Sequence, residues 1–276
     1  MSCEADKARG VIADSDIHTA PLEKCLAPPA PAPLSYPLVA HGPWLCRRLD
    51  ENPNTCPERM TVRHVVWDWN GTLLDDVQAC VDAINILLAH RSLPTVSRQQ
   101  YLDVFDFPVR NYYLRIGFNL DKEDWHSLAV EYHRAYALTS ANCPLREGAI
   151  QTLDRFRGAG IALSVLSACE ISLLRKMMRE RGILDYFEHV YGLSDLYAHS
   201  KVSLGHSMLE KAGLPRHSTL LVGDTLHDFE VAAALGVPCL LMSGGHQSEV
   251  KLRRCDCPIL PNMEAVHRHI TARPAP

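Results

Sequence analysis

Between residues 62 and 242, short apolar runs alternate with stretches whose apolar positions return every three or four residues. Five runs have strand length: VRHVVWD (62–68), IALSVLS (161–167), HVYGL (189–193), TLLVGD (219–224) and VPCLLM (237–242). They are continuous rather than alternating, as in strands covered on both faces. The periodicity predicts helices over 148–159, 170–181, 201–212 and 226–235, the last three each starting beside a polar residue at a strand or loop end. Strand, helix, strand in succession implies an α/β fold with a mostly parallel, Rossmann-like sheet and right-handed crossovers. Ligands of such sheets bind at the carboxyl ends of the strands.

From Asp76 to Cys143 the strand pattern stops. DVQACVDAINILLAH, SRQQYLDVF with Ser97 as N-cap, PVRNYYLRIGF and DKEDWHSLAVEYHRAYAL all read as helices. An all-helical insert over 76–143, entering after the first strand and returning before the second, predicts a cap over a core of 60–75 and 144–276. A cap in that place selects substrate and excludes water. Residues 1–59 differ from both parts: they hold nine of the 18 prolines, and APPAPAP (27–33) follows neither period. This extension is expected to be disordered or loosely packed. Met60, immediately before the first strand, is an alternative start of the native chain.

Composition narrows the functional classes. The 276 residues carry 28 Lys and Arg against 32 Asp and Glu, a net charge of −4. That balance argues against a dedicated nucleic-acid or acidic-membrane binder. The longest uncharged stretch, Cys25 to Cys46, contains six prolines and cannot form an unbroken spanning helix. MSCEADKARG lacks the layout of a secretory signal, so a cytoplasmic protein is expected, with its ten cysteines as reduced thiols. No His or Cys pair at zinc-ligand spacing stands beside Cys255 and Cys257.

Four segments end in residues suited to a phosphate. In WDWNGTLLDD (67–76), Asp68 ends an apolar strand, and Gly71 and Thr72 supply a turn whose N–H groups can face an anion. VLSAC ends its strand on Ser167. HSKVS places Lys201 at a helix start, where ammonium and dipole can both meet a phosphate. VGDTLHD brings Asp224 and Asp228 to the opening of another helix.

In this order the four segments resemble the motifs of the haloacid dehalogenase-like hydrolase superfamily over about residues 62–245. The insert resembles the small cap of phosphoglycolate phosphatases and β-phosphoglucomutase-like members. The stretches PLREGAIQTLDRFRGAGIALSVLS and LLVGDTLHDFEVAAALGV look especially like the phosphoglycolate phosphatase branch. The resemblance implies a Mg2+-dependent phosphatase of a small phosphorylated metabolite. Asp68 would be the nucleophile. Mg2+ would be held by Asp68, the backbone carbonyl of Asn70, Asp224 and, through water, Asp228. A carboxylate attacks an anionic phosphate only if a cation neutralises the charge between them. Ser167, Lys201 and the turn at Gly71 and Thr72 would bind the phosphate. Arg110, in the insert, is the candidate for a second anionic group on the substrate.

Each residue also has an ordinary structural reading. Asp68 could be a helix cap, Lys201 a solvated lysine, and Asp224 and Asp228 first-turn acids. His227 reads as an exposed helix residue, and strand alternation turns Trp67 away from Asp68 into the core. One position departs from the family: the second aspartate, which protonates the leaving oxygen and activates water, is Asn70 here. Loss of a general acid/base slows catalysis by about 10²- to 10⁴-fold. Asp75, Asp76 and insert residues are the possible substitutes. Three readings follow: a phosphatase with adapted acid/base chemistry, another phosphoryl-transfer enzyme, or a catalytically weak sensor of a phosphorylated ligand.

Overall fold

A computed structural model describes residues 61–197, 201–213 and 215–272. The proline-rich extension and Met60 lie outside the described residues. The sheet has six parallel strands: β1 (His64–Trp67), β2 (Ala162–Glu170), β3 (His189–Leu193), β4 (Thr219–Gly223), β5 (Cys239–Met242) and β6 (Ile259–Leu260). Their order is β3-β2-β1-β4-β5-β6. The first five are the runs read from the sequence. The sixth is two half-buried residues, too short for any periodicity to show.

Alternation along β1 sets the two faces. Trp67 joins Leu163, Val165, Val222 and Phe156 in one apolar cluster, with ring centroids of Trp67 and Phe156 6.2 Å apart. Val66 joins Leu166, Leu221, Met208 and Val231 in the other.

Between β1 and β2 run α1 (Val77–His90), α2 (Arg98–Val104), α3 (Val109–Arg115), α4 (Trp125–Thr139) and α5 (Ala149–Gly158). Helix α1 buries Val77, Cys80, Val81, Ile84, Leu87 and Leu88, an i, i+3, i+4 stripe that packs on α4. Arg91 locks this pair through Glu131 at 2.8 Å and reaches Glu123 at 2.6 Å. Ser97 caps α2 in a reciprocal box with Gln100. The remaining helices are α6 (Ile171–Glu180), α7 (Val202–Ala212), α8 (Leu226–Leu235), α9 (Glu249–Leu252) and α10 (Met263–Thr271). No helix among the described residues is long and apolar enough to cross a membrane.

The strand order creates the site. From β1 the chain winds outward to β2 and β3, then returns to start β4 on the other side of β1. The carboxyl ends of β1 and β4 therefore lie side by side where the winding reverses, the place in such a sheet where loops diverge and leave a crevice.

Candidate active site

Register brings the acids together. Trp67 pairs with Val222, and the Asp68 amide donates to the Val222 carbonyl at 2.9 Å. Asp68 thus leaves β1 beside the point where Gly223 leads into Asp224. Trp67 and Trp69 are fully buried in the apolar cluster, while Asp68, between them in sequence, lines a cavity of about 1050 Å³ including its mouth. Thr225 caps α8 in a box with Asp228, which fixes Asp228 one turn beyond Asp224. Lys201, at the N-cap of α7, is 2% exposed. Its ammonium pairs with Asp68, sits 2.7 Å from Asp228 and donates to the Leu166 carbonyl at 3.1 Å.

Asp68, Asp224 and Asp228 offer oxygens all within 4.8 Å of one another. Burial, with Asp228 and Asp224 adding repulsion, pushes Asp68 up to about 8 in spite of Lys201. Burial and Asp228 likewise push Asp224 up to about 6, although His246 opposes them. Asp228 is held below the ordinary carboxylate range: burial works to raise it, and Lys201 outweighs burial. Burial would lower Lys201, but its two carboxylate partners raise it. Three acids around one ammonium leave an excess of negative charge, which appears as two strained carboxylates.

A second network lies beside the first. The Asn70 amide donates to Asp76 at 2.7 Å and to the Tyr136 hydroxyl at 2.9 Å, and Tyr136 donates to the same Asp76 oxygen at 2.7 Å. The other Asp76 oxygen accepts the Gly71 amide at 2.8 Å and faces His246 Nε2 at 3.2 Å. Burial alone would lower His246, but Asp76 pushes it up to about 9. Asp76 is held low by His246, Tyr136 and Asn70 against its burial. His246 Nδ1 meets the Tyr101 hydroxyl at 2.9 Å, and the His246 amide donates to Asp224 at 2.6 Å.

The structure thus brings Asp68, Asn70, Ser167, Lys201 and Asp228 to one cavity wall. It places other expected residues differently. Gly71, with φ of 73°, spends its amide on Asp76, and a Cβ there would stand 2.6 Å from the His246 ring. Thr72 is buried with its hydroxyl on Asp224 at 2.8 Å. Both shape the site from behind; neither lines the cavity where a phosphate would sit. Asp224 stands behind that wall, held by Thr72 and His246. Both Asp228 oxygens are engaged, one by Lys201 and the other by Thr225, whose hydroxyl is 2.6 Å away. Asp228 is therefore the lysine's partner first.

Arg110 is exposed, with its guanidinium 5.7 Å from the centre of the Trp125 ring, and does not line the cavity. His227, expected at the surface, is 9% exposed and stacks on Phe107. His246, Tyr136 and Tyr101 belong to none of the four sequence motifs. The pair Gly244 and Gly245 after β5 was the available signal for His246. A Cβ on Gly245 would overlap the Asp224 carboxylate, so only glycine lets that loop come so close.

A profile described as haloacid dehalogenase-like hydrolase matches residues 65–242. The chain is 24% identical over 198 residues to "Probable phosphatase IndB" of Dickeya dadantii, covering 70% of this chain and 86% of that protein. It is also 24% identical over 191 residues to the phosphoglycolate phosphatase of Yersinia pseudotuberculosis, covering 67% and 82%. The solved structure of the protein tyrosine kinase PtkA of Mycobacterium tuberculosis superposes with a TM-score of 0.65 at 22% identity, over 77% of this chain and 99% of that one. Against the kinase's curated sequence, the chain spans 62% of the length at 28% identity. The positions of Asp68, Ser167, Lys201 and Asp224 at one sheet edge, the sheet order and the profile match agree: the chain belongs to the haloacid dehalogenase-like hydrolase family, on the branch that resembles the phosphoglycolate phosphatases.

Proposed function

We propose that this protein is a Mg2+-dependent phosphatase of a small phosphorylated metabolite, with Asp68 as nucleophile and helices of residues 76–143 as a cap over the site. One observation carries the reading: the oxygens of three buried carboxylates lie within 4.8 Å of one another, two of them paired with one ammonium in the wall of a cavity. The donor set is all oxygen and carries excess negative charge, which fits a hard divalent cation. Asp68, the Asn70 backbone carbonyl and Asp224 would hold Mg2+. When bound, it would shield the nucleophile from the charge of the phosphate.

The chain's own groups do the rest. One Asp68 oxygen bonds to phosphorus as the ester P–O bond breaks, and the leaving oxygen takes a proton from water. A second water then attacks phosphorus, giving its proton to the hydroxide left by the first, the aspartyl O–P bond breaks, and inorganic phosphate departs with Asp68 restored. Lys201 and Ser167 stabilise charge on the phosphoryl oxygens.

Asn70 supports a second reading, a slow or silent sensor of a phosphorylated ligand. Its amide is tied to Asp76 and Tyr136 and cannot give or take a catalytic proton at neutral pH. Phosphate release from aryl and alkyl esters, with Mg2+ and with EDTA, separates the two. The phosphatase reading expects Mg2+-dependent release that Asp68→Ala abolishes. Undiminished release by Asp68→Ala would overturn it, and tight phosphate binding without turnover would favour the sensor.

A further inference from the structure

The cavity above Asp68 has two unlike halves. Its floor holds the charged groups; its upper wall comes from the helical insert and is aromatic. Tyr101 stacks on Phe105 with centroids 5.0 Å apart, and Tyr132 stacks on Tyr136 at 6.0 Å. Phe107 stacks on His227 at 4.5 Å and 24°. All six line the cavity.

Charge is missing from this upper wall. Among the described lining residues Lys201 is the one lysine or arginine, and Asp68 and Asp228 already neutralise it. His246 is committed to Asp76. A second acidic group on the substrate would therefore lose its water and gain no cation, a heavy penalty in such surroundings.

Polar capacity, by contrast, is left over. The Tyr112 hydroxyl and His227 Nε2 are buried without a hydrogen-bond partner, and so is His133 Nδ1. All three residues line this same cavity, and Tyr112 is only 2% exposed. Buried polar atoms are almost always paired, so three orphans around one hollow mark places for a ligand's own donors and acceptors.

Resting on the phosphatase reading above, we propose that the alcohol half of the substrate carries an uncharged, planar aromatic ring, seated between the insert's aromatic side chains and the Tyr112 and His227 orphans. The shared chemistry has two sources, a simple aryl group and a nucleoside base, and the base's polar edge is what separates them.

The test uses the full chain with Mg2+ and four esters of aliphatic alcohols, so that leaving-group acidity does not decide the ranking: benzyl phosphate, uridine 5′-monophosphate, glycerol phosphate and phosphoglycolate. We expect kcat/KM for one or both ring-bearing esters to exceed the other two by roughly 10²-fold. Preference for the uridine ester, lowered about tenfold by Tyr112→Phe with benzyl phosphate unaffected, assigns the base source. Preference for benzyl phosphate, with Tyr112→Phe without effect, assigns the aryl source. Phosphoglycolate or glycerol phosphate turned over as fast as the ring-bearing esters overturns the proposal and leaves the phosphatase standing. Release from none of the four, with Mg2+ binding intact, overturns the phosphatase reading itself.

Discussion

Asn70→Asp restores the family's acid and also disturbs the network that holds it. The Asn70 nitrogen lies 2.7 Å from an Asp76 oxygen. A carboxylate in its place would repel Asp76 by about 6 kcal/mol at an effective dielectric of about 20. That is worth roughly 4.5 pK units, enough to lift the new acid from about 3.9 to about 8. The folded variant would then carry one more proton than the unfolded chain between about pH 4 and pH 8, so its stability falls as pH rises through that window. Relative to a permanently protonated acid the loss is about 4 kcal/mol at pH 7 and about 1.5 kcal/mol at pH 5. Urea unfolding of variant and parent in EDTA at the two pH values measures it, and the gap should widen by about 3 kcal/mol at the higher pH. The same proton serves catalysis: kcat on alkyl phosphates should rise, by up to about 10²- to 10⁴-fold, with a smaller gain on aryl esters. A stability gap that does not change with pH would show that Asn70 does not sit against Asp76. Slower alkyl-ester turnover by the variant would show that another group already transfers the proton. Asn70 precedes Gly71, a pair prone to deamidation, so intact mass on fresh protein accompanies both measurements.

Mg2+ should stabilise the fold by about 2.7 kcal/mol at a concentration 100 times its Kd, read as an EDTA-reversible rise in Tm. Because Asp224 is raised to about 6 and Asp68 to about 8, the ion displaces protons, and calorimetry should find tighter binding as pH climbs from 6 to 8. His64 is buried between Ser164 at 2.8 Å and Thr219 at 3.3 Å, and burial lowers it to about 4. The unfolded chain takes up that proton near pH 6.5, so the contribution is complete above that pH and is lost on acidification to about pH 4. The loss is on the order of 3 kcal/mol, and His64→Gln should remove that part of the urea-measured pH dependence. Phe156, fully buried beside Trp67, should cost about 3–5 kcal/mol when cut to alanine, with the site's Mg2+ affinity retained in a binding titration.

Local chemistry was enough to read most of the architecture. Five strands, the helices between them and the Ser97 cap follow from runs of apolar residues, 3.6-residue stripes and capping side chains, each confined to a few neighbours in sequence. Ends of apolar runs named Asp68, Ser167 and Asp224, because a polar residue closing such a run emerges near the sheet edge, although β2 continues past Ser167 to Glu170; helix starts named Lys201 and Asp228. Tertiary structure decided what these residues do there. Lys201 and Asp228 are 27 positions apart and Lys201 lies 133 from Asp68, yet one ammonium serves both acids. His246 lies 170 positions from Asp76, and no sequence period connects them. Gly71 and Thr72 had the composition of a phosphate turn, but neighbouring carboxylates claimed the Gly71 amide and the Thr72 hydroxyl. Arg110 had the right charge for an anion and faced the wrong way, because α3 turns Tyr112 and Tyr113 inward and leaves Arg110 outside on Trp125. Sequence pattern tells which side of an element is buried; which buried groups meet is settled only when strands distant in the chain adopt their order and register, since hydrogen bonds and charge pairs act over a few ångströms of space.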